Sequence, residues 1–476
     1  MDMEMQMRPA ALLPEIFLLV GALTVLLGGS FVPRAKQWRT RLVTVLTLVA
    51  AAVAATLDMG RQPQLVFEET YAVDTLTGAA RLVAVVATLL VVLLAVDELS
   101  GDARESETYA LLLLATLGTI VMAGANDLLL LLTGYLLASI PLYALVGLAR
   151  TAAGAEAAMK TYLLGSLLGI VLMLGITVLY GLGGTTAYPN FAESMPDAPA
   201  GAVAFGVVAI FGGLMFKAGG VPGHFWVPDA AQGSNSLTAA FLTTVPKIGA
   251  LVAAFRLVST LPDSVDWALL VGTIATLSMT LGNLAAFAQV DPRRLLGWST
   301  VSQAGYLLVP VAVAGSSDLA MPSLLLYLAG YAVTNVAAFA VIAALPERRT
   351  LAAYRGLAAS RPWLAAALVV SLLGLVGTPP TAVFVGKLTI ASAAWEGGAA
   401  WLAVVVMVNS VASLFYYLRW ILPVYQPGEP IEEASGAGST RRRWAPRAAV
   451  LAATVSLAAG IGAGVLWLAL AGSMAV

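Results

Sequence analysis

Long apolar runs, interrupted by short polar or basic segments, recur along almost the whole chain. Windows of about 20 apolar residues, enough to cross a hydrocarbon core as a helix, predict about 14 membrane spans. They lie near residues 11–31, 41–57, 77–96, 109–124, 127–148, 158–181, 201–218, 236–259, 266–289, 297–315, 321–345, 362–392, 401–424 and 447–472. The predicted fold class is therefore an all-α polytopic membrane protein. The one sizeable hydrophilic segment runs from Gln426 to Arg443 and reads as a flexible loop rich in Gly, Ser and Glu. No polar stretch is long enough to build a core of its own.

Three lysines break this pattern. Lys217, Lys247 and Lys387 each interrupt an apolar run. A lysine at mid-membrane costs roughly 2.5–3.5 kcal/mol on insertion scales, so such residues face a wet or protein-lined interior and usually serve function. Each stands near helix-breaking residues: Lys217 before Ala-Gly-Gly-Val-Pro, Lys247 after Pro246, Lys387 after Gly377-Thr378-Pro379-Pro380. This predicts broken helices beside buried charges, an arrangement of ion-translocating proteins. Burial disfavours an ammonium relative to its neutral amine, which suits a lysine that takes up and gives back protons. The competing reading is a lysine that snorkels to the interface.

Composition narrows the possibilities. The chain has 476 residues, of which 60% are hydrophobic and 11% charged, against about 25% charged in soluble domains. The net charge of −1 argues against a nucleic-acid partner. With no cysteine and a single histidine, His224, the chain offers no thiolates for an iron–sulfur cluster and no multi-histidine metal centre. Any redox chemistry must belong to partner chains. Residues Met1 to Met7 carry two acids and no base ahead of the first apolar run, the wrong polarity for a cleaved signal peptide, so the first span is expected to be retained.

Basic residues set the expected orientation. Arg34, Lys36, Arg39 and Arg41 follow the first span, Arg293 and Arg294 the ninth, and Arg348, Arg349, Arg355 and Arg361 the eleventh. Arg441, Arg442, Arg443 and Arg447 precede the last. All fall on one side if the spans are even in number. By contrast, Gly181 to Ala200 holds Glu193 and Asp197 but no base. The positive-inside rule makes the basic face cytoplasmic and places both termini outside.

Other side chains offer less. His224 suits a proton-path element between lysines, and equally a hydrogen-bonded histidine in an interfacial turn anchored by Trp226. Thr243, Thr244, Ser302 and Tyr306 are candidates for water wires or for ordinary interhelical hydrogen bonds. Arg150, Glu156 and Lys160 read as a charge cluster at the basic edge. Glu15 is the one carboxylate expected inside the apolar slab. Gly460, Gly462 and Gly464 predict close helix packing rather than nucleotide binding.

Several long segments resemble the antiporter-like subunits of respiratory complex I. Leu214-Met-Phe-Lys-Ala-Gly-Gly-Val-Pro-Gly-His-Phe-Trp-Val-Pro-Asp229 is similar to their FK…VPFHxWxPD signature. Ala239-Ala-Phe-Leu-Thr-Thr-Val-Pro-Lys247 resembles the helix that follows, and Arg294-Leu-Leu-Gly-Trp-Ser-Thr-Val-Ser-Gln-Ala-Gly-Tyr306 their RLLAYSS…HAGY segment. Tyr354-Arg-Gly-Leu357, Gly377-Thr-Pro-Pro-Thr-Ala-Val-Phe-Val-Gly-Lys387 and Tyr416-Tyr-Leu-Arg419 resemble the subunit N type in particular. The resemblance implies three leading helices (1–108), two inverted five-helix repeats (109–260 and 261–425), a cytoplasmic loop (426–446) and a last helix (447–476).

It also implies a proton-translocating membrane-arm subunit of an NADH–quinone oxidoreductase in a bacterial inner membrane. Lys217, Lys247, Lys387 and His224 would then form the relay, supported by Glu156, Lys160, Gln303 and Tyr306. NADH, flavin, iron–sulfur clusters and quinone would reside in partner subunits. Two positions depart from the family pattern. Leu136 stands where a fifth-helix glutamate is usual, and Gln303 where a histidine is common. Without that glutamate Lys217 is expected to be more readily neutral, and Gln303 can bond water but not carry a proton. A cation/proton antiporter subunit and a non-pumping scaffold remain as alternatives.

Overall fold

The computed structural model describes residues 8–195, 198–261, 265–428 and 442–472. Most of the expected 426–446 loop, with Arg441 in it, and Asp197 lie outside them. Three helices lead: α1 (Leu13–Phe31), α2 (Trp38–Met59) and α3 (Thr75–Leu99). A short antiparallel ribbon, β1 (Gln64–Val66) and β2 (Tyr71–Val73), joins the last two, with Gln64 opposite Val73.

The first block then comprises α4 (Glu105–Gly124), α5 (Leu128–Gly147), α6 (Ala152–Gly183), the short α7 (Phe191–Ser194), α8 (Ala200–Ala218), α9 (Trp226–Gly233) and α10 (Ser236–Val258). The second comprises α11 (Trp267–Phe287), α12 (Pro292–Ala312), α13 (Ala320–Ala344), the short α14 (Leu357–Ser360), α15 (Pro362–Val376), α16 (Ala382–Glu396) and α17 (Ala400–Tyr425). Helices α18 (Trp444–Ile461) and α19 (Ala463–Gly472) close the chain.

Among the described residues, twelve helices are long and apolar enough to cross a membrane. Two further regions match predicted spans without meeting that test. Helix α12 has 21 residues but spends them on Arg293, Arg294, Ser299, Thr300, Ser302 and Gln303, which point inwards or to its basic end. Helices α15 and α16 are two half-length pieces separated by a break. Starts are fixed by side-chain caps. Asp74, Asp127, Thr151, Asn235, Asp266 and Asp291 accept from backbone N–H groups in the first turns of α3, α5, α6, α10, α11 and α12. Such caps satisfy donors that a helix end otherwise leaves open.

Helix α10 sits at the centre, with every residue of its apolar window buried, whereas α6 and α17 run along the outside. Exposed Leu, Ile, Val and Phe side chains on α1, α2, α6 and α17 form the apolar coat expected where lipid or neighbouring subunits replace water. The first two helices of each block meet through glycine. A Cβ at Gly134 would lie 2.6 Å from the Met122 backbone N, and one at Gly305 2.6 Å from that of Met279. Helix α18 repeats the device once, at Gly460, whose missing side chain lets it rest on the backbone of Pro380 and Thr381. Gly464 faces open space, so the glycine triplet is not one packing motif.

One expectation is corrected. Pro246 does not break its helix, and α10 runs through it from Ser236 to Val258. Proline is tolerated in a membrane helix where neighbours supply donors to the disturbed backbone. Pro246 withdraws the donor from the Leu242 carbonyl, and in the same turn the Tyr331 hydroxyl donates to the next carbonyl, that of Thr243, at 2.7 Å. Only Lys217 and Lys387 adjoin true breaks.

Candidate functional site

Both breaks are made by glycine in the left-handed region. Helix α8 ends at Gly219 (φ +78°) and α15 at Gly377 (φ +89°). Non-glycine residues pay roughly 1–2 kcal/mol for that conformation. A Cβ at Gly377 would also press to 2.8 Å from the Lys387 Cδ. The sequence thus stops one half-helix and leaves room for the lysine that packs over its end.

Lys217, in the last turn of α8, is 1% exposed. Its Nζ donates to Ser139 Oγ on α5 at 2.6 Å and lies 5.0 Å from the Tyr135 ring centroid and 5.7 Å from that of Phe216. Tyr135 in turn donates to the Gly165 carbonyl on α6. Leu136 is 44% exposed, on the outward side of α5, while Tyr135 and Ser139 face the amine. Leu136, where the resemblance leads one to expect a glutamate, therefore lies on the coat of the molecule.

Lys247, at the centre of α10, is as deeply buried. Its Nζ donates to the Thr300 carbonyl and to the Tyr331 hydroxyl, both at 3.3 Å, and sits 4.6 Å from the Tyr331 ring. The Thr300 Oγ1 and Tyr331 hydroxyl are 3.1 Å apart. One turn on along α12 and one turn back along α13 a second rung repeats the pattern, with Tyr327 donating to Gln303 Oε1 at 2.6 Å. Gln303 Nε2 donates to the Leu375 carbonyl at 3.0 Å, and Lys387 Nζ to the adjacent Val376 carbonyl at 2.9 Å. Lys387 also lies 3.9 Å from the Tyr306 ring. Lys247 and Lys387 are thus the ends of one run of polar groups: Thr300 and Tyr331, then Gln303 and Tyr327, then the open end of α15. Beside it, Asn335 donates to the hydroxyls of Thr243 and Thr244.

Hydroxyls both donate and accept, and an amide orients such a chain without titrating. Among the described residues none of the three lysines forms an ion pair. Carbonyls, a serine and aromatic faces hold them instead. A cation over a ring gains about 0.5–1 kcal/mol when exposed and about 2 when desolvated.

The Lys217 group and the Lys247 group share no direct hydrogen bond among the described residues. His224 does not join them either. It packs against Phe225 and Trp298, with ring centroids at 4.1 and 5.8 Å, and its Nδ1 has no partner. Glu156 and Lys160 pair at 2.6 Å, but the cluster differs from the one expected. Lys160 also binds Asp229 at 2.8 Å, and Arg294 binds the other Asp229 oxygen at 2.6 Å. Asp229 on α9 therefore ties α6 to α12 and holds the segment that follows the first break. Arg150 has no part in it.

Glu15 is buried as expected, with partners the sequence did not reveal. Arg81 on α3, fully buried, binds it through two parallel contacts of 2.8 and 2.9 Å and reaches Asp58 on α2 at 3.4 Å. Tyr71 donates to the same carboxylate at 2.6 Å. Among the described residues no group of three or more His, Cys, Asp or Glu side chains is placed to hold a metal.

Residues 125–413 match the family model described as NADH:quinone oxidoreductase/Mrp antiporter, TM. Over 467 residues the chain is 59% identical to NADH-quinone oxidoreductase subunit N of Mycobacterium sp. (strain JLS), covering 98% of this chain and 99% of that one. Among solved structures, a chain of respiratory complex I from Thermus thermophilus, with bound aureothin, superposes with a TM-score of 0.80. It is 31% identical, over 96% of this chain and 99% of that one. A chain of the Mrp complex from Dietzia sp. DQ12-45-1b shares the fold at a TM-score of 0.83 and 24% identity, over 98% and 97% of the two chains.

Proposed function

The chain belongs to the NADH:quinone oxidoreductase/Mrp antiporter membrane family, among the antiporter-like subunits of the subunit N type, and from that premise we propose that it relays protons through its buried lysines. It is a membrane-embedded, multi-span subunit of a respiratory complex, and other membrane-arm subunits are its partners. The fold is read as fourteen passes, with α8–α9 and α15–α16 each counted as one broken pass. Both termini lie outside, and the basic loops face the cytoplasm of a bacterial cell. NADH, flavin, iron–sulfur clusters and quinone belong to the partners.

The observation that carries this reading is the series of hydrogen-bonding groups between Lys247 and Lys387, set in two rungs across α12 and α13 and at the open end of α15. Water between the two rungs would complete it. Lys217, held by Ser139, forms a second station at the first break. Because Leu136 faces outwards, the missing acid alters the boundary of the subunit and leaves the direct contacts of Lys217 intact.

The test uses the whole complex reconstituted in vesicles, with electron transfer and proton uptake measured together. Lys247→Met and Lys387→Met are each expected to lower the proton-to-electron ratio in an assembled complex. A ratio equal to that of the parent would sink the relay.

A further inference from the structure

On the basic face, the ends of α3, α10, α12 and α13 and the segment before α18 surround a pocket of about 140 Å³. On the same measure one water needs roughly 10–15 Å³, so the pocket admits a group of several heavy atoms. Arg293, Arg348, Arg349 and Arg442 line it against one acid, Glu98, together with Ser236 and Pro292. The last two are the first residues of α10 and α12, and helix starts bring partial positive charge.

Two atoms in this wall point to a missing ligand. Arg348 is 7% exposed, yet its Nη1 is buried with no hydrogen-bond partner. Its guanidinium packs 5.8 Å from the Tyr354 ring, which fixes its direction. Glu98 Oε2 is also buried and also lacks a partner. Arg442 and Arg293 are steadied by the carbonyls of Ala343 and Ser234, at 2.6 and 3.2 Å. A buried polar atom without a partner costs about 1–3 kcal/mol, more if charged. A bare anion would satisfy Arg348 but not Glu98 Oε2, which needs a donor beyond the Ser236 and Leu237 N–H groups that already reach this carboxylate. An open donor and an open acceptor in one basic pocket are matched by a group that is both.

We propose that this pocket binds a protonated phosphate group, whose anionic oxygens accept from Arg348 and its neighbours and whose P–O–H donates to Glu98. The second pKa of phosphate esters lies near 6, so the protonated form is present at neutral pH. The group arrives either as inorganic phosphate or as the phosphomonoester headgroup of a lipid. Sulfate offers the same oxygens without the proton, and sites built to bond a hydroxyl reject analogues that lack it.

The experiment takes the purified whole complex and titrates inorganic phosphate, sulfate, and phosphatidylcholine vesicles with and without phosphatidic acid, by calorimetry. Saturable phosphate binding, with sulfate at least tenfold weaker, is expected. Arg348→Gln should weaken phosphate at least tenfold, and Arg349→Gln with Arg442→Gln provides the same readout from the rim should the buried change disturb assembly. Glu98→Gln should narrow the gap between phosphate and sulfate, because an amide N–H serves sulfate. Binding of phosphatidic acid vesicles without binding of free phosphate assigns the lipid source, and the reverse assigns the free ion. Equal affinity for sulfate, phosphate binding unchanged by the rim variants, or no binding of either probe overturns the proposal.

Discussion

Tyr331→Phe separates the hydroxyl from the ring that carries it. The aromatic face 4.6 Å from Lys247 remains, so the cation–π contact survives. What disappears is the acceptor 3.3 Å from Lys247 Nζ, the donor to the Thr243 carbonyl and the contact with Thr300 Oγ1. The charged amine then keeps only the Thr300 carbonyl at 3.3 Å. A hydrogen bond to a charged group contributes about 1.5–3 kcal/mol. At about 1.4 kcal/mol per factor of ten, any step that passes through the charged state of Lys247 slows by roughly ten- to a hundredfold. The assay follows proton uptake and donor oxidation in vesicles holding the whole complex. The ratio should fall in coupled vesicles, while electron transfer in detergent stays at the parental rate. An assembled Tyr331→Phe complex with the parental ratio would refute the claim that this hydroxyl supports the charged state of Lys247 in the relay.

Three other outcomes follow from the same geometry. Arg81→Leu strands Glu15 as a buried acid without a cation, while Asp58 keeps Arg61 at 2.9 Å, and is expected to cost about 3–5 kcal/mol, read as loss of assembled complex. Adding Glu15→Gln should restore part of it, and equal losses in both variants would count against the pair. Gly377→Ala forces a side chain into φ +89° and against Lys387. The backbone strain alone is about 1–2 kcal/mol, so melting temperature and coupling should both drop, whereas Gly398→Ala, also at positive φ but with open space around it, should melt lower and leave coupling alone.

Asp74 caps α3 and binds Arg256 on α10 at 2.8 and 3.0 Å. Burial pushes its carboxyl up, but Arg256 and the bonds from Thr77 outweigh burial and hold it below the usual range. Its stabilising contribution is therefore complete above an unfolded carboxyl pKa of about 3.9 and fades as pH falls through the lower folded value. Asp74→Asn keeps the cap but should lose about 1–3 kcal/mol at neutral pH. The difference in melting temperature from the parent should shrink towards pH 3, and a constant difference would contradict the assignment.

What was legible in the sequence was whatever stands out locally. Lys217, Lys247 and Lys387 are conspicuous because an apolar run makes any charge visible, and Gly377-Thr-Pro-Pro marks a break because its residue types favour little else. Pro246 misled for the same reason. It carries a breaker's chemistry, but the donor that Tyr331 sends to Thr243 comes from 88 positions away. Arg81 escaped notice inside an ordinary apolar run, because its partners lie 66 and 23 residues distant. Ser139, Thr300, Tyr327 and Tyr331 are types found in most membrane helices, and only the packing of α5, α12 and α13 gives them a task. His224, the chain's lone imidazole, attracted attention by rarity, yet its ring rests on Phe225 and Trp298.

The bare backbone at Gly460 has a consequence for the end of the chain. It lets α18 seat against Pro380 and Thr381, where α15 has stopped and α16 has not yet resumed. Peptide groups in such a gap meet hydrocarbon unless protein shields them, and each one left open costs several kcal/mol. Helix α18 is thus a lid over the interruption, and a truncation after Tyr425 should damage the Lys387 region although that lysine lies far upstream.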